Sequence, residues 1–160
     1  MTVCALARPT IRQATPADIP TLVALYIAAM TEIVRPGQTF SGSLAANWQE
    51  DAGKHLSDLA QRRDALILVA DAASEVVGYE IAVLTDHRTV YSMSTYILPA
   101  HRRGWLARKL VDDALAWGVA HGCEWAECRT NLNSTAQRLL EHGGFRVVGV
   151  EMRKRIIAEA

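Results

Sequence analysis

The stretch from Tyr96 to Leu110, which reads YILPAHRRGWLARKL, predicts the end of a strand, a basic turn and the start of a helix in direct succession. Val90 to Leu98 is rich in Val, Tyr, Thr and Ile, a composition that favours a strand, and Pro99 ends it. Apolar residues at helical spacing follow in one stripe: Leu106, Leu110, Ala114 and Trp117. The segment therefore joins one strand to one helix through a short turn.

The turn itself has the features of an anion-binding site. The first turn of a helix has backbone N–H groups without intrahelical partners, at the positive end of the helix dipole. Arg102, Arg103 and Arg108 place positive charge around this position. The pattern predicts a site for a phosphate or pyrophosphate, although a basic turn that binds no ligand has the same composition.

The rest of the chain supplies further strands and helices on both sides of this segment. Thr15 and Asp18 are typical of a helix start, and Asn133 is expected to cap the last helix. The predicted strands are Ile11–Ala14, Leu66–Ala70, Val76–Leu84, Trp125–Thr130 and one long or two short strands over Phe145–Ile157; the predicted helices are Thr15–Met30, Leu44–Arg63 and Ser134–His142. Hairpins followed by a βαβ unit predict an α/β (α+β) fold with a mixed sheet and helices on its faces.

Composition narrows the class of protein. The chain of 160 residues fits one domain, with residues 1–9 as a loose leader. Its 17 basic and 17 acidic residues give a formal net charge of zero, which argues against a nucleic-acid binder and is compatible with a homodimer. No apolar run approaches the roughly 20 residues that span a bilayer. Three cysteines without CxxC spacing and scattered histidines predict no metal site and a cytoplasmic protein.

The turn resembles the cofactor signature of the GNAT acetyltransferase superfamily, Q/R-x-x-G-x-G/A, with Arg102 at its first position and Ala107 at its last. The resemblance implies acetyl-coenzyme A as cosubstrate, with its pyrophosphate held by backbone amides. It also implies that Tyr96 and Ile97 present backbone groups to the acetyl and pantetheine portion. The positions implied to hold the pyrophosphate are Arg102, Arg103, Gly104, Trp105, Leu106, Ala107 and Arg108.

A second block, Asn133–Phe145, is similar to the N-x-x-A-x-x-L-Y-E-x-x-G-F segment of the same superfamily. The matching residues are Asn133, Ala136, Leu139, Glu141, Gly144 and Phe145. By this resemblance, Asn133 contacts the pantetheine arm. The implied fold is a mixed, mostly antiparallel sheet of six to seven strands flanked by about four helices.

Two positions depart from the superfamily pattern. Trp105 occupies the position of the middle glycine, where it stacks on the adenine or is simply an exposed or packed aromatic residue. Leu140 occupies the position of the tyrosine that protonates the leaving thiolate in many members, and leucine has no proton to donate. Tyr96 is a candidate substitute donor.

Glu80 and Glu127 are the candidates for the general base. Side chains alternate along a strand, so only one of Tyr79 and Glu80, and only one of Glu127 and Cys128, can face the cleft. Each glutamate has a simpler alternative as a solvated strand residue. Cys128 is interpreted as a core thiol, because direct attack by an amine needs no nucleophilic residue.

The resemblance implies direct transfer of an acetyl group from acetyl-coenzyme A to a primary amine of a small molecule or a protein. The alternative is a non-catalytic protein of the same fold that binds coenzyme A or a partner, and Trp105 and Leu140 favour it. The acceptor is expected to contact the first two helices and the loop around Arg35–Ser41.

Overall fold

A computed structural model of the chain describes residues 8–35, 44, 46–102 and 104–152. Its strands are β1 (Thr10–Gln13), β2 (Ala65–Ala72), β3 (Glu75–Thr85), β4 (Thr89–Ile97) and β5 (Trp125–Cys128). Its α-helices are α1 (Ile19–Ile33), α2 (Trp48–Gln61), α3 (Gly104–Ala120) and α4 (Thr135–His142). Short 3₁₀ turns, Pro16–Asp18 and Pro99–His101, precede α1 and α3.

The strands form one sheet in the order β1-β2-β3-β4-β5. The first four pair antiparallel with their neighbours, and β5 pairs parallel with β4. A parallel pair requires a crossover, and α3 provides it. The predicted mixed, mostly antiparallel sheet with about four helices is therefore confirmed.

The closing strand predicted over Phe145–Ile157 does not form within the described residues, so the sheet has five strands there and not six or seven. The prediction rested on the valines of this segment. Val148 is 94% exposed and Met152 is 91% exposed. Strand preference depends on packing against a partly buried surface, and these side chains have none. Residues 153–157 lie outside the described residues.

Each face of the sheet packs against different helices. On one face, α1 and α2 contribute a cluster with strand residues such as Tyr79 and Ile81. On the other, α3 contributes a cluster with Leu68 and Ala82. The helix residues of the first cluster are Leu22, Leu25, Ala29, Leu56 and Leu59, and those of the second are Leu106, Leu110 and Ala114. The stripe predicted for α3 is thus the face that it buries.

Two glycines allow close approaches next to β4. A Cβ on Gly118 of α3 would lie 2.7 Å from the Val90 side chain, and one on Gly78 of β3 would lie 2.8 Å from the Tyr96 carbonyl oxygen. Real Cβ atoms do not come this close, so any larger residue would push α3 or β3 away. The lack of a side chain at these two positions therefore allows α3 and β3 to pack closely against β4.

The helix starts differ from the predictions in detail. The Asp18 carboxylate accepts from the Thr15 backbone N–H at 2.7 Å, which confirms the helix start predicted at these two residues. The second helix begins at Trp48 and not at residue 44. The cap of α4 is Ser134, whose hydroxyl accepts from the Gln137 N–H at 3.0 Å. The prediction of Asn133 as the cap is wrong, because Asn133 has φ 59° and an N-cap residue is usually extended.

Candidate functional site

The edge of β4 that faces β5 is unpaired over its last part. The pairing with β5 runs from Thr89 only to Ser92, opposite Cys128, whereas β4 continues to Ile97. The register with β3 also shifts at this point, which leaves Met93 as an extra residue, a β-bulge. No described strand pairs with this edge over residues 93–97. Its backbone groups therefore line a gap between β4 and β5.

The gap leads directly to the start of α3. After Ile97 the chain makes the 3₁₀ turn Pro99–His101, in which the His101 N–H donates to the Leu98 carbonyl at 2.8 Å. The helix begins at Gly104. Leu106, which is 1% exposed, anchors its first turn in the core. The first turn of α3, whose leading amides have no intrahelical partner, thus lies at the end of the unpaired strand edge.

Arg102 braces the turn and does not extend freely from it. Its Nε donates to the Ile97 carbonyl at 2.8 Å. Its Nη2 donates to both carboxylate oxygens of Glu32, at 2.8 and 2.9 Å. Its guanidinium carbon lies 5.2 Å from the centre of the Tyr96 ring. Arg102 therefore connects the turn to both β4 and the last turn of α1.

The other predicted cofactor residues are placed in different ways. Arg108 pairs with Asp112 at 2.9 Å and also donates to the His142 carbonyl, so its charge is partly neutralised. Trp105 is 44% exposed. Arg103 lies outside the described residues. An anion at this position would thus depend mainly on backbone amides and less on free cationic side chains.

Glu80 is completely buried on the α3 face of the sheet. It lies between Leu68 of β2 and Thr95 of β4 in the strand register. The Ser92 hydroxyl donates to its Oε1 at 2.6 Å, and the Thr95 hydroxyl donates to its Oε2. Burial raises the pKa of Glu80 to about 7, while the two hydroxyls act in the opposite direction. The alternative that Glu80 is a solvated strand residue is wrong.

Tyr96 lies on the opposite face, among the residues of the α1 and α2 cluster. Its hydroxyl donates to Glu32 at 3.2 Å. Burial raises the pKa of Tyr96, and the Glu32 carboxylate adds to the shift. The structure does not bring Tyr96 and Glu80 together, so the two cannot act on one atom from the same side of the sheet.

The β5 candidates also divide between the faces. Cys128 is opposite Ser92 and half-buried, and burial raises the pKa of its thiol, with nearby Glu80 adding to the shift. A raised pKa makes the thiolate scarce, which supports the interpretation of Cys128 as a structural thiol. Glu127 is opposite Tyr91 and exposed, on the face of α1 and α2. Glu80 and Glu127 therefore face opposite sides of the sheet.

The second sequence block contains α4, which packs against α3. Asn133 is exposed just before α4, with its backbone N–H donating to the Gln137 side chain at 2.7 Å. Leu140 is half-buried where α4 faces Val111 of α3. Leu140 thus packs as an apolar side chain between α3 and α4.

Sequence reasoning missed three polar residues of the site: Glu32, Ser92 and Thr95. Glu32 is 70 positions from Arg102 and has no local signal. Ser92 and Thr95 belong to the hydroxyl-rich run Ser92–Tyr96, which was interpreted only as strand composition. The bulge at Met93 lets both hydroxyls reach Glu80, and a bulge is not evident from this run.

The structure also bears on metals and membranes. Within the described ranges, no three His, Cys, Asp or Glu side chains gather into a metal-ligand set. In the same part of the chain, none of the helices has the length and apolarity that crossing a bilayer demands.

The family model described as the acetyltransferase (GNAT) family matches residues 27–145, which is more than half of the chain. The chain therefore belongs to the GNAT acetyltransferase family. The match includes β4, the turn, α3 and the Asn133–Phe145 block. Among proteins of curated function, none matches the chain by sequence.

Solved structures share the fold at low sequence identity. A transcriptional regulator from Bacillus halodurans is 18% identical with a TM-score of 0.70, over 92% of this chain and 99% of that one. The aminoglycoside acetyltransferase AAC(6')-Iy, in complex with a bisubstrate analogue, is 17% identical with a TM-score of 0.69, over 95% and 100%. PaiA N-acetyltransferase from Thermoplasma acidophilum, in complex with coenzyme A, is 15% identical with a TM-score of 0.68, over 85% and 87%.

Proposed function

We propose that this protein transfers an acetyl group from acetyl-coenzyme A to a primary amine. The observation that carries the proposal is the unpaired edge of β4 over residues 93–97, which ends at the amides that begin α3. A strand edge offers hydrogen bonds to the amides of a pantetheine arm, and a helix start suits a pyrophosphate. Membership of the acetyltransferase family and the coenzyme A complexes of similar folds support the same proposal.

The proposed coenzyme site uses backbone more than side chains. Trp105, Leu106 and Ala107 provide amides of the first helical turn for the pyrophosphate, together with Gly104 and Arg108. Backbone groups of Tyr96 and Ile97 face the pantetheine and acetyl portion. The Ile97 carbonyl already accepts from Arg102, so Arg102 acts as a brace for this site. The exposed Asn133 side chain provides a further contact with the pantetheine arm.

The reaction needs a base more than it needs an acid. An alkylamine with pKa near 10.4 is neutral in only about one molecule in 2,500 at pH 7, which costs roughly 4 to 5 kcal/mol. A thiol with pKa near 8.5 leaves readily by comparison. Leu140 provides no acid, and the Tyr96 hydroxyl is directed to Glu32. The lack of a strong acid therefore slows the reaction without preventing it.

Glu80 is the base that this proposal assigns. A base is most effective when its pKa lies near the working pH, and burial raises the pKa of Glu80 to about 7. Glu127, exposed on the other face, is the rival. The amine attacks the thioester carbonyl, the backbone amides near Ile97 stabilise the oxyanion, and coenzyme A leaves as the thiolate.

The proposal is tested first by calorimetry with coenzyme A and acetyl-coenzyme A. We expect binding by the wild-type chain and a loss of at least about tenfold in affinity for Ala107→Glu, which puts a carboxylate beside the pyrophosphate position. Ala116→Glu is the matched control, because Ala116 is exposed further along the same helix. Absence of binding at millimolar ligand would reject the proposal.

Release of free thiol over a panel of primary amines then separates the enzyme from its alternative. A non-catalytic coenzyme A-binding protein would bind without turnover. Turnover with small amines supports a small-molecule acceptor. Turnover only with peptides that carry lysine or a free N-terminus would instead identify a protein acceptor.

A further inference from the structure

The proposed base cannot touch an acceptor directly, because Glu80 is 0% exposed. Both of its oxygens accept hydrogen bonds from hydroxyls of β4. One of these hydroxyls belongs to Ser92, which is 6% exposed and is the last β4 residue that pairs with β5. The other hydroxyl belongs to Thr95, which is exposed on the unpaired part of β4. Thr95 is therefore the side chain that connects Glu80 to the gap.

We propose that the Thr95 hydroxyl carries the proton from the acceptor amine to Glu80. The inference rests on the proposed acetyl transfer and adds a residue to it. As the amine nitrogen forms its bond to the thioester carbon, its proton moves to the Thr95 oxygen. The Thr95 hydroxyl proton moves at the same time to Oε2 of Glu80, so threonine ends the step neutral. The C–S bond then breaks with its electron pair on sulfur, coenzyme A leaves as the thiolate, and Glu80 passes its proton through the same exposed hydroxyl to solvent water.

The surroundings of Glu80 suit this role. From β2 it meets Leu68, and the α3 cluster around it is apolar, with Leu106 and Leu110. The titratable neighbours are Cys128 on β5 and Tyr79 on its own strand, and the pKa values of both are raised, mainly by burial. Both are therefore neutral near pH 7, which leaves the Glu80 carboxyl as the group that takes or gives the proton.

The test compares Thr95→Val, which keeps the shape and removes the hydroxyl, with Thr95→Ser, which keeps the hydroxyl. The rate is measured from pH 5 to 9 with acetyl-coenzyme A and the amine that reacts fastest in the panel. We expect kcat to fall about 10²-fold or more in Thr95→Val, with little change in KM for acetyl-coenzyme A. The inflection near pH 7 should disappear in Thr95→Val. Thr95→Ser should keep both kcat and the inflection near pH 7 close to those of the wild-type chain.

Thr89→Val is the matched control, because it makes the same substitution on the same strand outside the unpaired edge. Thr89 is 2% exposed, and its hydroxyl donates to the His87 carbonyl at 3.2 Å and not to Glu80. Its removal should lower stability and leave kcat and the pH profile close to those of the wild-type chain. An equal loss of kcat in Thr89→Val and Thr95→Val would show a structural effect and would overturn the relay.

A measurement without turnover completes the test. The infrared band of the protonated carboxyl is followed during a pH titration, with Glu80→Gln as the reference. Loss of a donor to the carboxylate should raise the pKa of Glu80 in Thr95→Val but not in Thr95→Ser. An unchanged pKa, or an unchanged rate and pH profile, in Thr95→Val overturns the relay alone. A wild-type chain that acetylates no amine overturns the proposed function, and the relay with it.

Discussion

The two faces of β4 differ in what their buried polar groups can do. Toward α1 and α2, the Tyr79 and Ser94 hydroxyls bond to each other, and the Tyr96 hydroxyl bonds to Glu32. Both tyrosine pKa values are raised, so these two hydroxyls stay neutral near pH 7. Toward α3, Glu80 is an ionisable group in an apolar cluster, connected to the gap through Thr95. One face holds hydroxyls that bond to partners within it, and the other holds the carboxyl that we propose as the base.

The bulge at Met93 separates these roles. A regular strand places every second side chain on one face, so Ser92 and Thr95 would point to opposite sides. The extra residue brings both hydroxyls to Glu80. The bulge lies where pairing with β5 ends. One local irregularity therefore brings two hydroxyls to the proposed base at the point where the pairing with β5 ends.

The largest expected effect is on catalysis. Glu80→Gln keeps the shape and one of the two acceptor oxygens but removes the base, so kcat should fall about 10²- to 10⁴-fold. Steady-state thiol release measures it. If Glu127→Gln produces the larger loss, the base lies on the other face and the comparison between the faces is reversed.

The second effect is on stability as a function of pH. The folded chain binds the Glu80 proton with a pKa of about 7, against about 4.5 in the unfolded chain. The native state therefore holds more protons between these values, and its free energy of unfolding falls as pH rises from about 4.5 to 7, by roughly 3 kcal/mol. Urea unfolding at pH 5 and pH 8 should show this fall, and Glu80→Gln should remove it. An equal fall in Glu80→Gln would assign the pH dependence to other groups.

The third effect concerns the face of β4 toward α1 and α2. Tyr79→Phe removes the hydroxyl that bonds to Ser94 and leaves a buried serine without that partner. The free energy of unfolding should fall by about 1 to 2 kcal/mol, with kcat unchanged. Urea unfolding and thiol release measure the two quantities. A loss of activity larger than the loss of folded protein would mean that this face takes part in the chemistry.

The smallest effect is expected for the Glu32–Arg102 pair, which connects α1 to the turn before α3. Glu32→Gln weakens its pair with Arg102, which is partly exposed at both ends. Such pairs contribute about 0.5 to 1 kcal/mol, so coenzyme A should bind about twofold to fivefold more weakly by calorimetry. Asp58→Asn, which breaks the exposed Lys54–Asp58 pair on α2, is the control and should leave the affinity unchanged. Equal affinities in all three proteins would mean that Arg102 does not brace the coenzyme site.

Sequence predicted the parts of the fold that depend on local patterns. The apolar stripe of α3 and the glycine-containing turn before it are both local, and the structure has them where they were expected. The strand predicted over Phe145–Ile157 does not form at residues 145–152, because a high valine content does not provide a surface for the strand to pack against. The placement of Asn133 at the cap failed because Ser134 next to it has the extended backbone that capping needs.

The candidate site was predicted less completely. Glu80 was identified as one of two glutamates on strands, but its burial depends on the packing of α3 across three strands. Its contacts with Ser92 and Thr95 depend on a bulge, and the Glu32–Arg102 pair depends on the tertiary approach of α1 to the turn. None of these has a signal within a window of neighbouring residues.

Amide hydrogen exchange by NMR tests the central claim most directly, namely that the unpaired edge of β4 and the start of α3 hold the coenzyme. With coenzyme A added, exchange should slow at the amides of Met93–Ile97 and Trp105–Ala107, with smaller changes on β1 and β2. Protection confined to other elements, with these amides exchanging as fast as in the free protein, would contradict the account.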